Sequence, residues 1–260
     1  MTMTQDSRLD LVQAARLALQ CLDLTSLNDA DTAADVTALC ERAQTAFGPV
    51  AAVCVWPRFV AQARSMLPPE VKVAAVADFP DGALDVARAI ADIETIAQAG
   101  GDEVDVVLPW RALQAGQRSE VEEFLAEVRH ASRPLTLKVI IESGELADPE
   151  LIAEATRLSL AAGADFVKTS TGKTPVSATP EAARVMLREI AASGMASAGF
   201  KASGGIRSVA DAQGYLQLAA DVLGADALQA RRFRFGASGL LKDIEAVLSG
   251  QASQAVNSVY

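Results

Sequence analysis

Two lysines interrupt apolar segments that have the composition of buried β-strands. Lys168 lies in the segment DFVKTSTGK, residues 165–173, and Lys201 lies in GFKASGG, residues 199–205. A buried ammonium group without a partner is costly, so a lysine near the end of a core strand must be paired, solvated or functional. Each lysine is followed by glycine, whose missing side chain lets the backbone approach a ligand closely. The two segments therefore predict one site with reactive amines and a loop that holds an anion.

The amines indicate a specific kind of chemistry. On neighbouring parallel strands the two lysine backbones would lie about 5 Å apart, and two ammonium groups in one cavity repel, so one pKa must fall. A lysine that is neutral near pH 7 attacks carbonyl carbons and forms a Schiff base. We predict that Lys168 is this amine, that Lys201 is its electrostatic partner and that Asp105 moves the required protons. Phosphate binding is the alternative role for Lys201, and the two roles are compatible.

Further charged residues interrupt the predicted strands. Asp23 and Lys138 do so sharply, and Glu142 and Arg234 less sharply. For any single one of them, a buried ion pair that only satisfies itself is an equally good interpretation. Their joint occurrence favours an active site, because a barrel interior filled by Val, Ile and Leu needs no ions.

Glycine-containing loops follow the last three predicted strands, at residues 170–173, 203–205 and 236–239. Backbone N–H groups in such loops, with a helix N-terminus behind them, bind phosphate. A single glycine loop is more often only a turn. Three in successive positions predict a phosphate site, which is a recurring feature after strands seven and eight of α/β barrels.

The elements that must position these residues alternate between strand and helix about eight times, without a linker. This alternation predicts an α/β protein with a parallel sheet. Eight units in about 250 residues favour a (β/α)₈ TIM barrel with an extra N-terminal helix. An open doubly wound sheet is the alternative, but the chain has neither G-x-G-x-x-G nor a P-loop. We expect one barrel domain over residues 1–248, a mobile tail over 249–260, and the extra helix as a plug at the bottom of the barrel.

Composition excludes several classes of partner. The 260 residues carry a formal net charge of −10, which argues against nucleic acid and against docking on a membrane surface. The chain has three cysteines without a C-x-x-C pair, and a single histidine. We therefore expect neither a disulfide framework nor a zinc site. Without an apolar stretch of membrane-spanning length, the chain is expected to be cytoplasmic.

Five segments together resemble the deoxyribose-phosphate aldolase family, in particular its longer, enterobacterial-type branch. They are DFVKTSTGK, GFKASGGIR, DEVDVVLPWRAL, LKVIIESGEL and RFRFGASGLL. The resemblance covers nearly the whole chain and implies a class I aldolase of deoxyribonucleotide catabolism. Such an enzyme reversibly cleaves 2-deoxy-D-ribose 5-phosphate into acetaldehyde and D-glyceraldehyde 3-phosphate, without metal or cofactor. A homodimer is left open.

The resemblance also implies roles for individual residues. Lys168 matches the Schiff-base lysine, Lys201 the lysine that perturbs it, and Asp105 the acid/base aspartate. Asp23 and Lys138 match the polar network around the catalytic water and the substrate hydroxyls. The last residue of the chain matches the family's tail tyrosine, which is thought to reach the site and aid proton transfer: Tyr260.

A second group of residues matches the family's phosphate cradle: Gly172, Lys173, Gly204, Gly205, Ser238 and Gly239. Three positions depart from the family pattern. Asp78 stands where Asn is usual and is expected to add a negative charge near the mouth. Ser203 replaces a small apolar residue, and Gly239 replaces a serine, which removes one possible phosphate hydroxyl. These departures bear on phosphate affinity and not on the Schiff-base chemistry.

Three other functions remain open at this point. The first is another Schiff-base aldolase or a transaldolase, acting on a different sugar phosphate. The second is a sugar-phosphate isomerase that uses a carboxylate base and no imine. The third is a barrel that binds phosphate without catalysis.

Overall fold

The computed structural model describes residues 9–253, and within them eight parallel strands close into a barrel. Closure is made by β1 (Leu22–Thr25), which pairs with both β2 (Ala52–Val55) and β8 (Phe233–Ala237). The strands between them are β3 (Lys72–Ala77), β4 (Glu103–Val107), β5 (Thr136–Ile140), β6 (Phe166–Lys168) and β7 (Gly199–Ser203). Each pairs with its neighbours in sequence, so the predicted (β/α)₈ barrel is confirmed and the open sheet is excluded.

Helices form the outer layer of the barrel. They are α1 (Leu11–Gln20), α2 (Ala33–Arg42), α3 (Val60–Met66), α4 (Val86–Gln98), α5 (Trp110–Gln114), α6 (Arg118–Ala131), α7 (Ser143–Leu146), α8 (Pro149–Ala161), α9 (Pro180–Ala192), α10 (Val209–Leu223) and α11 (Leu240–Leu248). Within residues 9–253, no helix is both long and apolar enough to cross a membrane.

Local sequence explains where the main helices begin. Thr179 accepts a hydrogen bond from the backbone N–H of Ala182 and Pro180 occupies the first position of α9, as the sequence predicts. Ser208 and Asp211 form a capping box at the start of α10. The core lies between the strands and the helices, where residues such as Ile93, Met186 and Leu187 are fully buried.

The extra N-terminal helix does not plug the bottom of the barrel. Helix α1 packs instead against α10 and α11, and the Leu9 carbonyl accepts a hydrogen bond from Gln213 of α10. The bottom holds an open cavity of about 1000 Å³, which Glu103 and Arg234 of the barrel interior line. The predicted extra helix is thus present, but its predicted position is wrong.

Helix α2 is shorter than the sequence suggests. Its apolar periodicity predicts a helix from Asp31 to Phe47, but the helix ends at Arg42 and a small antiparallel hairpin follows, formed by residues 44–45 and 48–49. The Thr45 hydroxyl donates to the Gly48 carbonyl and accepts the Phe47 N–H, while Gly48 has a φ of 118°. Such local side-chain bonds compete successfully with a last helical turn.

Candidate active site

Strand register brings charged side chains of neighbouring strands together inside the barrel. Lys168 of β6 is aligned with Lys201 of β7, which is aligned with Arg234 of β8. Asp105 of β4 is likewise aligned with Lys138 of β5. Because alternate residues of a strand share a face, all five side chains point into the barrel interior.

Asp105 is the centre of the cluster. One of its oxygens, Oδ2, lies 2.8 Å from Lys168 Nζ and 2.7 Å from Lys201 Nζ, and the other lies 2.8 Å from Lys138 Nζ. Burial opposes ionisation of this carboxyl, but the three ammonium groups outweigh it and hold the pKa of Asp105 well below its usual range. The carboxylate therefore joins the two predicted catalytic lysines through a single oxygen atom.

Asp23 of β1 makes a second bridge on the far side of Lys201. Its Oδ2 lies 2.5 Å from Lys201 Nζ and 3.7 Å from Lys138 Nζ, and its Oδ1 accepts a hydrogen bond from Arg234 at 2.5 Å. Burial opposes ionisation here too, but Arg234 and the two lysines lower the pKa of Asp23. The structure thus brings together all five charged barrel residues that the sequence predicts for the site.

Glu103 completes the network and is a residue that sequence reasoning missed. Its carboxylate lies 2.5 Å from Lys138 Nζ and 2.8 Å from Arg234 Nη2. It stands two positions before Asp105 on the same strand, so the alternation of faces could have placed it inside the barrel. The signal was weak because charge is common at the first residue of a strand.

The distribution of partners distinguishes the three lysines. Lys138 lies within ion-pair distance of three carboxylates and Lys201 of two, whereas Lys168 has Asp105 alone among the described residues. Burial lowers the pKa of Lys168, Asp105 raises it and the charge of Lys201 lowers it, with a net fall. For Lys201 and Lys138, burial is outweighed by the carboxylates and the pKa rises.

A count of charges leads to the same assignment. Three carboxylates face four cations in the cluster: Asp23, Glu103 and Asp105 against Lys138, Lys168, Lys201 and Arg234. The cluster is neutral when one of the four cations gives up its proton. Lys168 is the least compensated of them, and it is the lysine of the cluster whose pKa is lowered.

Next to this cluster, a cavity of about 510 Å³ opens at the carboxyl ends of the strands. The six residues predicted to cradle phosphate all line it: Gly172, Lys173, Gly204, Gly205, Ser238 and Gly239. Two further cations, Arg207 and Lys242, line it as well and were not predicted. The N-terminus of α11 begins at Gly239 without a side-chain cap, which leaves its first backbone N–H groups for an anion.

Close packing explains two of the glycines at the mouth. A Cβ on Gly236 would lie 2.5 Å from Ser203 Oγ and 3.0 Å from Lys201 Cε, so the Lys201 side chain needs a glycine beside it. A Cβ on Gly204 would lie 2.5 Å from the Ser177 side chain, and Gly204 has a φ of 85°. These glycines let three loops meet around the cavity.

Asp78 directly follows β3 and is fully buried. Neither carboxylate oxygen accepts a hydrogen bond from a described residue, although Arg88 lies 3.7 Å away. Burial raises the pKa of Asp78 to about 8; Asp81, Asp92 and Asp85 also raise it, and Arg88 lowers it. Burial therefore opposes the negative charge that was expected at this position.

Tyr260 lies outside the described residues. Cys54 of β2 is fully buried; burial and then the charge of Asp105 raise the pKa of its thiol. Within residues 9–253 no group of three His, Cys, Asp or Glu side chains is arranged to hold a metal ion.

A parallel barrel with a lysine of lowered pKa in its interior and an anion cavity at its mouth defines the class of barrel aldolases. The sequence pattern of the DeoC/LacD family aldolases matches residues 17–246. The chain belongs to this family.

Relatives and solved structures agree with this assignment. The deoxyribose-phosphate aldolase of Agrobacterium fabrum is 48% identical over 241 residues, which cover 92% of this chain and 93% of that protein. A candidate deoxyribose-phosphate aldolase from Toxoplasma gondii ME49 superposes with a TM-score of 0.84 at 25% identity, over 94% of this chain and 97% of that one. The tetrameric deoxyribose phosphate aldolase of Aeropyrum pernix superposes with a TM-score of 0.70 at 27% identity, over 92% and 97% of the two chains.

Proposed function

We propose that the protein is a Schiff-base aldolase that reversibly cleaves 2-deoxy-D-ribose 5-phosphate to D-glyceraldehyde 3-phosphate and acetaldehyde. The observation that carries this proposal is the buried Lys168, whose pKa is lowered and whose Nζ lies 2.8 Å from Asp105. The cavity beside it has the size and the backbone donors for a phosphate group.

The first half of the reaction makes the imine. The neutral amine of Lys168 attacks C1 of the open-chain sugar, and the resulting carbinolamine loses water to give a protonated imine. Asp105, which contacts both Lys168 and Lys201, is placed to pass the required protons between the amines and the departing oxygen. Lys201 supplies the positive charge that keeps Asp105 ionised and Lys168 neutral.

The second half breaks the carbon–carbon bond. The C3 hydroxyl gives up its proton, the C2–C3 bond breaks, and its electron pair flows into the imine to form an enamine as glyceraldehyde 3-phosphate leaves. A proton returned to C2 and hydrolysis by one water then release acetaldehyde and regenerate the Lys168 amine. Asp23 and Lys138 support these steps by fixing Lys201 and Asp105 in position.

The phosphate of the substrate is held in the cavity at the carboxyl ends of the strands. Its ligands are proposed to be the backbone N–H groups and cations of the three glycine loops, Gly172, Lys173, Gly204, Gly205, Ser238 and Gly239. Lys173 also pairs with Asp29 at 3.7 Å, across the cavity. Because Lys173 is about one-third exposed, it can exchange this partner for phosphate.

The Lys168→Leu variant tests the proposal. We expect it to lose cleavage of deoxyribose 5-phosphate while keeping its circular dichroism spectrum, since Asp105 keeps Lys138 and Lys201 as partners. Lys72→Leu is the matched control, because Lys72 is half-exposed at the opposite end of the barrel. Turnover of the Lys168→Leu variant at the rate of the parent protein would refute the mechanism.

Tyr260 is proposed to aid proton transfer at C2. The proposal rests only on the resemblance of this residue to the tail tyrosine of the aldolase family. Deletion of this last residue should slow turnover without changing the melting temperature. An unchanged rate would remove Tyr260 from the mechanism.

Three further features are part of the proposal. The chain is proposed to act without metal or cofactor, in the cytoplasm, and as a homodimer. Activity that survives dialysis against a chelator tests the first of these, and sedimentation velocity tests the last. The relative from Aeropyrum pernix is tetrameric. Of the tail expected over residues 249–260, residues 254–260 lie outside the described part of the chain, and in the described part the Gln251 N–H donates to the Ala246 carbonyl.

A further inference from the structure

The loop that follows β6 packs closely against the turn that follows β5 and is hydrogen-bonded to it. This loop, residues 169–178, contains Gly172 and Lys173 of the phosphate cavity. The turn consists of Glu142 and helix α7, and it lies on the side of the loop away from Gly204. Two different contacts join the turn to the loop.

The first contact is made by the Glu142 carboxylate, which is fully buried. It accepts a hydrogen bond from the Thr171 hydroxyl at 2.5 Å, from the Thr171 N–H at 3.3 Å and from the Thr174 hydroxyl at 3.3 Å. The Thr171 oxygen in turn accepts the Lys173 N–H at 3.0 Å. A chain of hydrogen bonds therefore runs from Glu142 through Thr171 to the backbone of Lys173.

Backbone conformation shows that this contact is built into the turn. Glu142 has a φ of 51°, in the left-handed region that non-glycine residues rarely adopt. Its neighbours are fixed by backbone bonds to β6 and its loop, from Ile141 N to Lys168 O and from Ser143 N to Thr169 O. The strained residue is thus held between two anchored ones, with its side chain directed at the loop. Strain of this kind persists where the surroundings over-determine it and is common at functional sites.

The second contact is a close approach of backbone at Gly144. A Cβ on Gly144 would lie only 2.0 Å from the Val176 carbonyl oxygen. Gly144 has no positive φ, so its backbone conformation does not require glycine. Glycine is required at this position because a side chain would collide with the Val176 backbone. Glu142 and Gly144 therefore hold residues 171–176 by two independent means.

The other side of the same loop faces the next glycine segment. The Cβ position of Gly204 lies 2.5 Å from Ser177 and 3.4 Å from Gly172 Cα. The loop is consequently held between the β5 turn and the β7 loop, and its backbone at Gly172 lies against the phosphate cavity. A shift of the β5 turn has to move Gly172 and Lys173 relative to Gly204 and Gly205.

We propose that Glu142 and Gly144 are positioning residues for phosphate recognition, which fix the loop of Gly172 and Lys173 without contacting the substrate. This inference rests on the proposed function and deepens it. A carboxylate beside an anion site is otherwise unfavourable, since like charges repel. Its presence here is explained by the three donors of the loop that it orders.

The experiment compares deoxyribose 5-phosphate with unphosphorylated deoxyribose as substrates. The Glu142→Ala variant should raise KM for the phosphorylated sugar about tenfold or more, the size expected for lost charge-assisted hydrogen bonds. Its kcat, and its kcat/KM for the unphosphorylated sugar, should stay within about twofold of the parent values. The Glu142→Gln variant, which keeps an acceptor oxygen, should recover part of the affinity.

Gly144→Ala supplies an independent second variant. Its new Cβ must displace the Val176 carbonyl, so the same selective rise in KM is expected without any change of charge. Gly214→Ala in α10 is the matched control, because nothing lies within 4 Å of that Cβ position and no positive φ is required there. Glu145→Ala is the control for charge, on the same turn. Both controls should keep the parent KM.

Several outcomes would overturn the inference. An equal fall in activity on both sugars would mean that Glu142 serves the lysine chemistry or the fold in general. A lower KM for the phosphorylated sugar in Glu142→Gln and Glu142→Ala would mean that repulsion between the Glu142 carboxylate and the phosphate outweighs positioning of the loop. Failure of the parent protein itself to cleave either sugar would instead refute the proposed function, so the two failures are distinguishable.

Discussion

At the scale of single residues, the site depends on unequal sharing of carboxylates among lysines. Lys138, Lys168 and Lys201 all lie within 2.8 Å of Asp105, yet only Lys168 has no second carboxylate among the described residues. Burial therefore lowers the pKa of Lys168, whereas at Lys138 and Lys201 the carboxylates outweigh burial and raise the pKa. The number of carboxylates around a lysine, and not the residue type, decides which of the three has the lowered pKa.

Sequence could predict these lysines because each breaks an apolar strand, where an unpaired charge is costly. It indicated Glu103 only weakly, through its position two residues before Asp105, because a charge at the first residue of a strand is ordinary. It could not predict which form Asp78 takes, since that depends on buried surroundings that only the packed structure supplies. Both residues owe their state to contacts between distant parts of the chain.

Removal of the Lys201 charge should change the pH dependence of turnover. The repulsion that lowers the pKa of Lys168 disappears, and the Asp105 oxygen that Lys168 shared with Lys201 then pairs with Lys168 alone, so the pKa of Lys168 rises. The Lys201→Leu variant should lose about 100-fold or more in kcat near pH 7. The acid limb of its kcat profile should move to higher pH, and a profile that keeps its shape would contradict this coupling.

Asp78 should make stability depend on pH. Its pKa is raised to about 8 in the folded protein but lies at about 3.9 in an unfolded chain. Between these values the folded state binds the additional proton, so the free energy of unfolding falls as pH rises from about 4 to 8. Asp78→Asn should therefore raise the melting temperature by about 3 °C or more beyond its effect at pH 5 when it is measured at pH 8.

Calorimetry at the two pH values tests this prediction. Asp85→Asn is the matched control, since it also removes an acidic group near Asp78 but belongs to the cap of α4. An equal change in melting temperature at pH 5 and pH 8 for Asp78→Asn would show that the carboxyl is ionised throughout.

At the scale of secondary-structure elements, loops are the functional parts and strands are the scaffold. The phosphate cavity is lined by the loops after β6, β7 and β8, together with the segment after β1. Glycine spacing made the three glycine loops predictable, because glycine at each strand end signals close backbone approach. The contribution of Arg207 and Lys242 to the cavity was not predictable, since it depends on how helices α10 and α11 are placed.

Short elements escaped prediction for a related reason. Helices α5 and α7 span only five and four residues, too few to show a helical period. The hairpin at residues 44–49 depends on Thr45 side-chain hydrogen bonds, which replace the last turn of a predicted helix. Long periodic segments such as α4 and α9 were predictable within a few residues.

Gly236 gives a prediction at this scale. A methyl group there would press on Ser203 and on Lys201 Cε, displacing the lysine that keeps Asp105 in place. Gly236→Ala should lower kcat/KM by about tenfold or more, because small misplacements at a reacting centre are costly. Gly214→Ala in α10 is the control, as nothing lies within 4 Å of that Cβ position and no positive φ is required there. A fully active Gly236→Ala variant with unchanged pH profile would show that Lys201 has more room than the structure indicates.

At the scale of the whole molecule, one ion network runs through the barrel from its bottom to its mouth. Glu103 and Arg234 line the cavity at the bottom, and Lys138, Asp23 and Asp105 connect them to Lys168. Barrel closure between β1 and β8 brings Asp23 and Arg234 into this network. The alternation of strands and helices could predict the barrel, but the continuity of the network requires the closed structure.

Loss of Glu103 should therefore destabilise the protein as a whole. Glu103→Gln leaves the buried Lys138 and Arg234 with fewer anions, and removal of one partner of a buried ion pair costs about 3–5 kcal/mol. Glu122→Gln, which removes a carboxylate from an exposed pair with Arg118, should leave the denaturation midpoint nearly unchanged. Urea denaturation of the two variants measures the difference. Equal midpoints would mean that the buried network contributes no more than a surface pair.

The central claim is that Lys168 forms a covalent imine with a phosphorylated deoxy sugar. Borohydride reduction in the presence of deoxyribose 5-phosphate, followed by peptide mass spectrometry, tests it most directly. The account predicts a reduced adduct on the peptide that contains Lys168, and none on that peptide without substrate. Turnover with no adduct, or an adduct confined to another lysine, would contradict it.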